Sequence, residues 1–346
     1  MQRLLDISQG TKSSHCYVIA EAGLNHNGSV GIAKALIDVA VLAGADAVKF
    51  QKRTVDNLAV ADTLDAEDNR FPEFGSTYRQ IREHHEFNLD QYQELKSYAD
   101  NKGIDFFVTA FDPIAVDFLQ KLGVQAYKLA SHSVTNLELL SYLSAVGKPT
   151  ILSTGMADLG ELDTAVEIFK KNRSPLILLH CVSSYPTPLN ECNLSMMDFL
   201  RERYDLPVGY SGHELGYLPS VAAVAMGAQL IERHYTLDKS MVGFDHKISL
   251  EPDELISMVR DIRRLSLIKG SGIKEISETE WITRNKYHVS MASACEIKPG
   301  EKLIEAMVCY RNPGTGIPAK LASTILGKTA LREIPADVLL TYEMFD

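Results

Sequence analysis

From about Tyr17 to Gly270 the chain alternates eight times between a short apolar run and a segment with helical spacing, a rhythm that points to strands joined by helical crossovers. The runs cover residues 17–20, 45–50, 105–108, 126–129, 149–152, 176–179, 206–210 and 228–231. The segments between them are predicted as helices over 30–43, 89–101, 113–122, 136–146, 159–170 and 216–226, with a last one over 252–267. The first is the clearest: Ile32, Ala33, Leu36, Ile37, Ala40 and Val41 share one face, and Gly44 closes it. Eight such units fit a (β/α)8 TIM barrel followed by a smaller module. An open doubly wound sheet is the alternative, because strand count alone does not prove closure.

The rhythm stops at Gly270. Residues 271–286 read as a charged linker, and 287–346 as a compact β-rich domain with strands at 288–292 and 338–342. Turns at Lys298-Pro299-Gly300-Glu301 and Asn312-Pro313-Gly314-Thr315-Gly316 support that reading. A module of about 60 residues is marginal alone and is expected to pack on the barrel or on a second subunit.

Composition excludes several functions. A net charge of −10 over 346 residues argues against nucleic acid, which selects basic surfaces. No apolar run approaches the roughly 20 residues of a membrane helix, and residues 1–10 lack the apolar core of a signal peptide, so the expected location is the cytoplasm. Five cysteines without CxxC spacing suggest neither a disulfide framework nor a structural zinc site.

Chemistry concentrates where the apolar runs end. Glu21 follows the first run, Lys49 and Gln51 the second, Thr109 the third, Lys128 and Ser131 the fourth, and Ser153 the fifth. The sixth leads to Ser183 and Tyr185, the seventh to Ser211 and His213, the eighth to Glu232 and His234. In a parallel barrel these ends converge on one mouth. Two lysines and several hydroxyls there suit a phosphate or carboxylate, although each lysine alone reads equally as a snorkelling side chain. His213 and His234 form a pair able to hold a divalent metal, against the alternative of two unrelated loop caps. Glu21 is a candidate acid or base. Glu232 is a candidate for orienting water, unless it merely pairs with Arg233. Asp245, in the loop after the eighth run, can hydrogen-bond a polyol or simply face solvent.

The segments Ala20-Glu21-Ala22-Gly23-Leu24-Asn25-His26-Asn27-Gly28, Lys49-Phe50-Gln51, Ser153-Thr154-Gly155-Met156, Tyr185-Pro186-Thr187-Pro188, Gly209-Tyr210-Ser211-Gly212-His213 and Glu232-Arg233-His234 resemble the sialic acid synthase family. The likeness extends through Ser249-Leu250-Glu251-Pro252 to a C-terminal antifreeze-like (SAF-type) domain, matched by Ile297-Lys298-Pro299-Gly300-Glu301 and Pro313-Gly314-Thr315-Gly316-Ile317. It implies condensation of phosphoenolpyruvate with an open-chain N-acetylated hexose such as N-acetylmannosamine, releasing phosphate and forming a nonulosonic acid. It further implies a manganese-type ion, with magnesium or cobalt as alternatives, on His213 and His234. Lys49, Thr109, Lys128, Ser131, Ser153 and Ser211 match positions around phosphoenolpyruvate. Ser183, Tyr185 and Asp245 match sugar positions, together with Arg311 reaching across a domain-swapped homodimer. Catalytic roles fall to Glu21, Glu232 and the two histidines.

Ser183 stands where sialic acid formers often carry asparagine, Met241-Val242-Gly243-Phe244 replaces a more polar loop, and Asn312 is inserted after Arg311. These departures leave the sugar open between N-acetylmannosamine and a 2,4-diacetamido-trideoxyhexose, the precursor type of legionaminic or pseudaminic acid. A metal-dependent pyruvate aldolase is a rival that would need no phosphate site. A Schiff-base aldolase through Lys49 or Lys128, or an ice- or carbohydrate-binding protein on a degenerate barrel, are further alternatives.

Overall fold

The computed structural model describes residues 1–11 and 15–346 and divides the chain into two compact units, Met1–Gly270 and Ser271–Asp346. In the first, eight parallel strands close in sequence order: β1 (Tyr17–Gly23), β2 (Ala47–Lys52), β3 (Asp105–Ala110), β4 (Tyr127–Leu129), β5 (Thr150–Ser153), β6 (Leu176–Cys181), β7 (Val208–Gly212) and β8 (Leu230–His234). Pairing of Tyr17 with Leu230 and of Glu21 with His234 seals the ring, so the open-sheet alternative is set aside.

The helices are α1 (Gln2–Ser8), α2 (Val30–Ala43), α3 (Ala61–Leu64), α4 (Tyr78–His85), α5 (Leu89–Lys102), α6 (Pro113–Leu122), α7 (Leu137–Val146), α8 (Leu159–Lys171), α9 (Met196–Tyr204), α10 (Leu218–Ala225), α11 (Pro252–Lys269) and, in the second unit, α12 (Glu278–Tyr287). Local chemistry sets their ends. The Ser29 side chain accepts the Ile32 N–H at the start of α2, and Gly44 stops that helix at φ 74°, a left-handed conformation that costs glycine little. The sequence reading missed α1, α3, α4 and α9. The last is signalled only by Met197, Leu200 and Tyr204, three buried residues in a stretch otherwise rich in charge.

Strand alternation divides the first unit's apolar residues into two bodies. Val18, Ala20, Val48, Phe50, Val108, Leu152, Leu178 and Ile231 face outward and pack with the helices. Tyr17, Ile19, Ala47, Phe107, Ala126, Ile151, Ile177, Leu179 and Leu230 face inward and fill the barrel's lower interior, joined by Leu4 and Ile7 of α1. That short helix thus plugs the barrel floor, where Asp105 accepts the Tyr17 hydroxyl at 2.6 Å and pairs with the Met1 ammonium.

In the second unit, β9 (Ser290–Ser293) and β10 (Val308–Arg311) form an antiparallel pair over a core that includes Met291, Ile297, Leu303, Ile317, Ile325, Leu340 and Phe345. Two expectations are corrected. The stretch 271–286 is not a plain linker: Ser277 and Glu280 form a capping box that starts α12. Residues 338–342 are not a strand, because their backbone bonds are divided between β9 and Ile317, leaving a single bridge from Leu339 to Ala292. No helix among the described residues is long and apolar enough to cross a membrane.

Candidate active site

Inward positions that are apolar at the barrel floor become polar one layer higher. Glu21 stands two residues beyond Ile19, Lys49 two beyond Ala47, Thr109 two beyond Phe107, and Glu232 two beyond Leu230, each keeping the inward parity. Register brings them together: Glu21 pairs with Lys49 and His234, Thr109 with Lys128, and Ser211 with Glu232. They line a cavity of about 140 Å³ with Gln51, Ser131, His132, Ser153, Met156, Cys181, Ser183, Tyr185 and His213.

The charges are interleaved. Lys49 Nζ lies 2.9 Å from Glu21 Oε2 and donates to Thr109 Oγ1 at 2.8 Å. Lys128 Nζ donates to Ser153 Oγ at 2.7 Å and to the Leu129 carbonyl at 2.9 Å. Glu232 sits between the ammoniums, 3.6 Å from Lys49 and 3.7 Å from Lys128, and accepts the Ser211 hydroxyl at 3.2 Å. Burial opposes its charge, but Lys128 and then Lys49 hold its carboxyl below the usual range. Burial likewise pulls the Lys128 ammonium down, with Glu232 opposing. Arg233 does not partner Glu232. It points outward, pairs with buried Glu214 and donates to the Glu214 and Gly216 carbonyls at 2.7 Å.

His213 and His234 face one another with ring centroids 5.5 Å apart. Burial lowers both imidazoles from their ordinary value, which favours the neutral form that offers a lone pair. His213 Nδ1 hydrogen-bonds the Val182 carbonyl at 3.0 Å, which assigns the proton to Nδ1 and leaves Nε2 as the donor atom. His234 Nδ1 is buried without a hydrogen-bond partner, 3.7 Å from Asp245 Oδ2. An oriented imidazole and an orphaned one at this separation are a pair of nitrogen donors of the kind that suits a divalent ion.

Twelve of the sequence-predicted residues, Glu21, Lys49, Thr109, Lys128, Ser131, Ser153, Ser183, Tyr185, Ser211, His213, Glu232 and His234, therefore lie at one mouth. Tyr185 leans its ring 4.2 Å from that of His213, and Asp245 reaches the mouth through His234. Arg311 lies on β10 of the second unit, exposed and 2.9 Å from Asp337. Sequence reasoning gave no role to Gln51, His132, Met156 or Cys181. For Gln51 and Cys181 a signal existed, since they share inward parity with Lys49 and with Leu179. A larger cleft of about 620 Å³ lies at the opposite end, between the C-terminal turns of α10 and α11. Its lining, including Val224, Met226, Leu265 and Ile268, holds no facing pair of acid and base, so the chemistry belongs to the smaller mouth.

A closed (β/α)8 barrel whose strand ends carry buried lysines, carboxylates and paired histidines has the architecture of a TIM-barrel enzyme with its site at the strand ends. The NeuB family pattern matches residues 36–274. N,N'-diacetyllegionaminic acid synthase of Campylobacter jejuni is 40% identical over 93% of this chain and 98% of its own. The enzyme of the same name from Legionella pneumophila is 37% identical over 96% and 95%. Among solved structures, N-acetylneuraminic acid (sialic acid) synthetase from Leptospira borgpetersenii, in complex with citrate, superimposes with a TM-score of 0.68 at 39% identity, covering 78% of this chain and 90% of that one. The chain belongs to the NeuB family, a family of sialic-acid-type synthases.

Proposed function

We propose that the chain condenses phosphoenolpyruvate with an N-acetylated amino sugar and water, giving a sialic-acid-type nonulosonic acid and inorganic phosphate. The observation that carries this reading is the interleaved mouth, in which Lys49 and Lys128 are buried, held by hydroxyls, and compensated by carboxylates rather than by solvent. A substrate bearing both carboxylate and phosphate suits two fixed cations.

Lys49, Lys128, Thr109, Ser131, Ser153 and Ser211 bind and orient phosphoenolpyruvate. Carbon 3 then bonds to the sugar aldehyde carbon, whose oxygen takes up a proton to become a hydroxyl; water adds to the electron-deficient carbon 2 with loss of a proton, and cleavage of the C2–O bond releases phosphate and leaves the 2-keto group. Glu21, fixed at the rim by Lys49 and Gln51, takes the water's proton or stabilises the cation that precedes it. Glu232 holds the two ammoniums in register. His213 and His234 would hold a divalent ion of the manganese type, or magnesium or cobalt, which would supply Lewis-acid polarisation of the aldehyde. Tyr185, Ser183 and Asp245 lie around those histidines and serve the sugar. In a homodimer that exchanges small domains, Arg311 would serve the sugar as well.

The acceptor reading divides in two. N-acetylmannosamine is one acceptor; a 2,4-diacetamido-trideoxyhexose is the other, favoured by the two diacetyllegionaminic acid synthases above and by the serine at 183. Phosphate release from phosphoenolpyruvate, run with each sugar and with mannose, with and without chelator, tests the reaction and separates the acceptors. Sugar-dependent, chelator-sensitive release is expected. Consumption of free pyruvate without phosphate release would move the assignment to an aldolase.

A further inference from the structure

Arg53 is a buried cation that the reaction above does not use. It follows β2 directly, two residues beyond Gln51 and four beyond Lys49, and is 7% exposed. Its guanidinium carbon lies 3.8 Å from the centre of the Phe111 ring, and Phe111 stacks at 4.9 Å on His132, which lines the mouth. One terminal nitrogen donates to Gln51 Oε1; the other, Nη1, is buried with no hydrogen-bond partner. The carboxylates of Glu86 and Asp245 act on it at a distance, while Arg82 opposes. Burying a guanidinium this way is costly, and an apolar residue over Phe111 would be cheaper to hold there. The position therefore calls for a role beyond packing.

Gln51 shows what that role is. An amide side chain can turn either end toward a neighbour. With a guanidinium donating to Oε1, only Nε2 is left to face the mouth, and it donates to Glu21 Oε1 at 2.7 Å. The other Glu21 oxygen meets Lys49 at 2.9 Å, so both oxygens are fixed and the plane of the carboxylate is set. A reversed amide would press its oxygen on the carboxylate and its NH2 on the guanidinium. We infer that Arg53 is a positioning residue for Glu21, acting through the Gln51 amide. The inference rests on the reaction proposed above, in which Glu21 faces the reacting carbon.

The test uses Arg53→Met, Gln51→Ala, the double variant and Arg53→Lys in the full chain, with phosphate-release kinetics and crystal structures of each. Misplacing a reacting group is expected to lower kcat about tenfold to a hundredfold in Arg53→Met, with KM for phosphoenolpyruvate within about twofold. Arg53→Lys keeps the charge and is expected to recover part of the loss. Adding Arg53→Met to Gln51→Ala should change kcat by less than about twofold, because the path is already cut. The structure of Arg53→Met should show Gln51 turned away from Glu21. Equal kcat losses in both backgrounds would overturn the inference, as would a raised acceptor KM with kcat unchanged, or Gln51 still bonded to Glu21 in Arg53→Met. Should Arg53→Met not fold, Arg53→Lys carries the same comparison, with a smaller expected loss. If the wild-type protein releases no phosphate with any acceptor, the proposed reaction fails, while the crystal structures still decide whether Arg53 sets Gln51.

Discussion

The two layers of the barrel interior are built on the same strands, at positions of the same parity, yet they are opposites. The lower layer, with Tyr17, Ile19, Phe107, Ile177 and Leu230, is apolar and plugged by Leu4 and Ile7. The upper layer, two residues further along, carries Glu21, Lys49, Lys128 and Glu232, all at most 5% exposed. The backbone does not separate them; the side chains do. Cohesion comes from the floor, which lets the mouth hold charges that contribute little to stability by themselves.

Several substitutions would break or sharpen that contrast. Glu21→Gln is expected to reduce turnover by about 10²–10⁴-fold and to lower the melting temperature too, since it removes a proton acceptor and takes from buried Lys49 its nearest carboxylate. Full turnover in this variant would remove Glu21 from the chemistry. Glu232→Gln should cost stability as well, about 3–5 kcal/mol, because it leaves two buried ammoniums without their shared carboxylate. Added inorganic phosphate should restore more melting temperature to this variant than to the wild type. In the lower layer, Ile177→Ala is expected to lose about 2–5 kcal/mol of stability in urea titration while kcat per folded molecule is unchanged.

Acid should act on the fold through His26 and His85, two buried histidines packed among Phe50, Phe87 and Phe74. Burial holds His26 at about 3 and His85 at about 4, against an ordinary 6.5. Both are neutral in the folded protein, so unfolding takes up protons below about pH 6.5. Stability owes nothing to this effect above that pH and falls as pH drops toward 4, each ring contributing up to about 1.4 kcal/mol per pH unit. A lower urea midpoint at pH 5 than at pH 7 is the expected result. The smallest effect is at the floor: Tyr17→Phe loses the hydroxyl bonded to Asp105, about 1 kcal/mol, and should leave turnover unchanged.

What was legible in the sequence follows from the same contrast. All eight strands could be read because short apolar runs against a polar background are a local signal, and the polar residues ending them marked the mouth. Helix α9 could not, since its three buried residues are scattered among charges, and α1 gave no hint that it would enter the barrel. The strand expected at 338–342 failed because apolar spacing does not reveal where backbone hydrogen bonds go. At the site, Glu232 read equally as a partner of Arg233. Strand alternation puts these neighbours on opposite sides, and the closed ring shows which side each takes, Glu232 toward two lysines and Arg233 toward Glu214. Likewise the bond from Arg53 to Gln51 depends on how Phe111 supports the guanidinium, which no spacing rule encodes.

In the inner mouth the two carboxylates of Glu21 and Glu232 formally balance the two ammoniums of Lys49 and Lys128 before any ligand arrives. An anion entering this volume cannot simply displace water, since it would leave an uncompensated charge in a poorly solvated space. A proton or a metal cation entering with it would offset that charge. Affinity for the anion is thus tied to the proton and cation concentrations around the protein, and titration calorimetry in buffers of different ionisation enthalpy would count the protons taken up per anion bound.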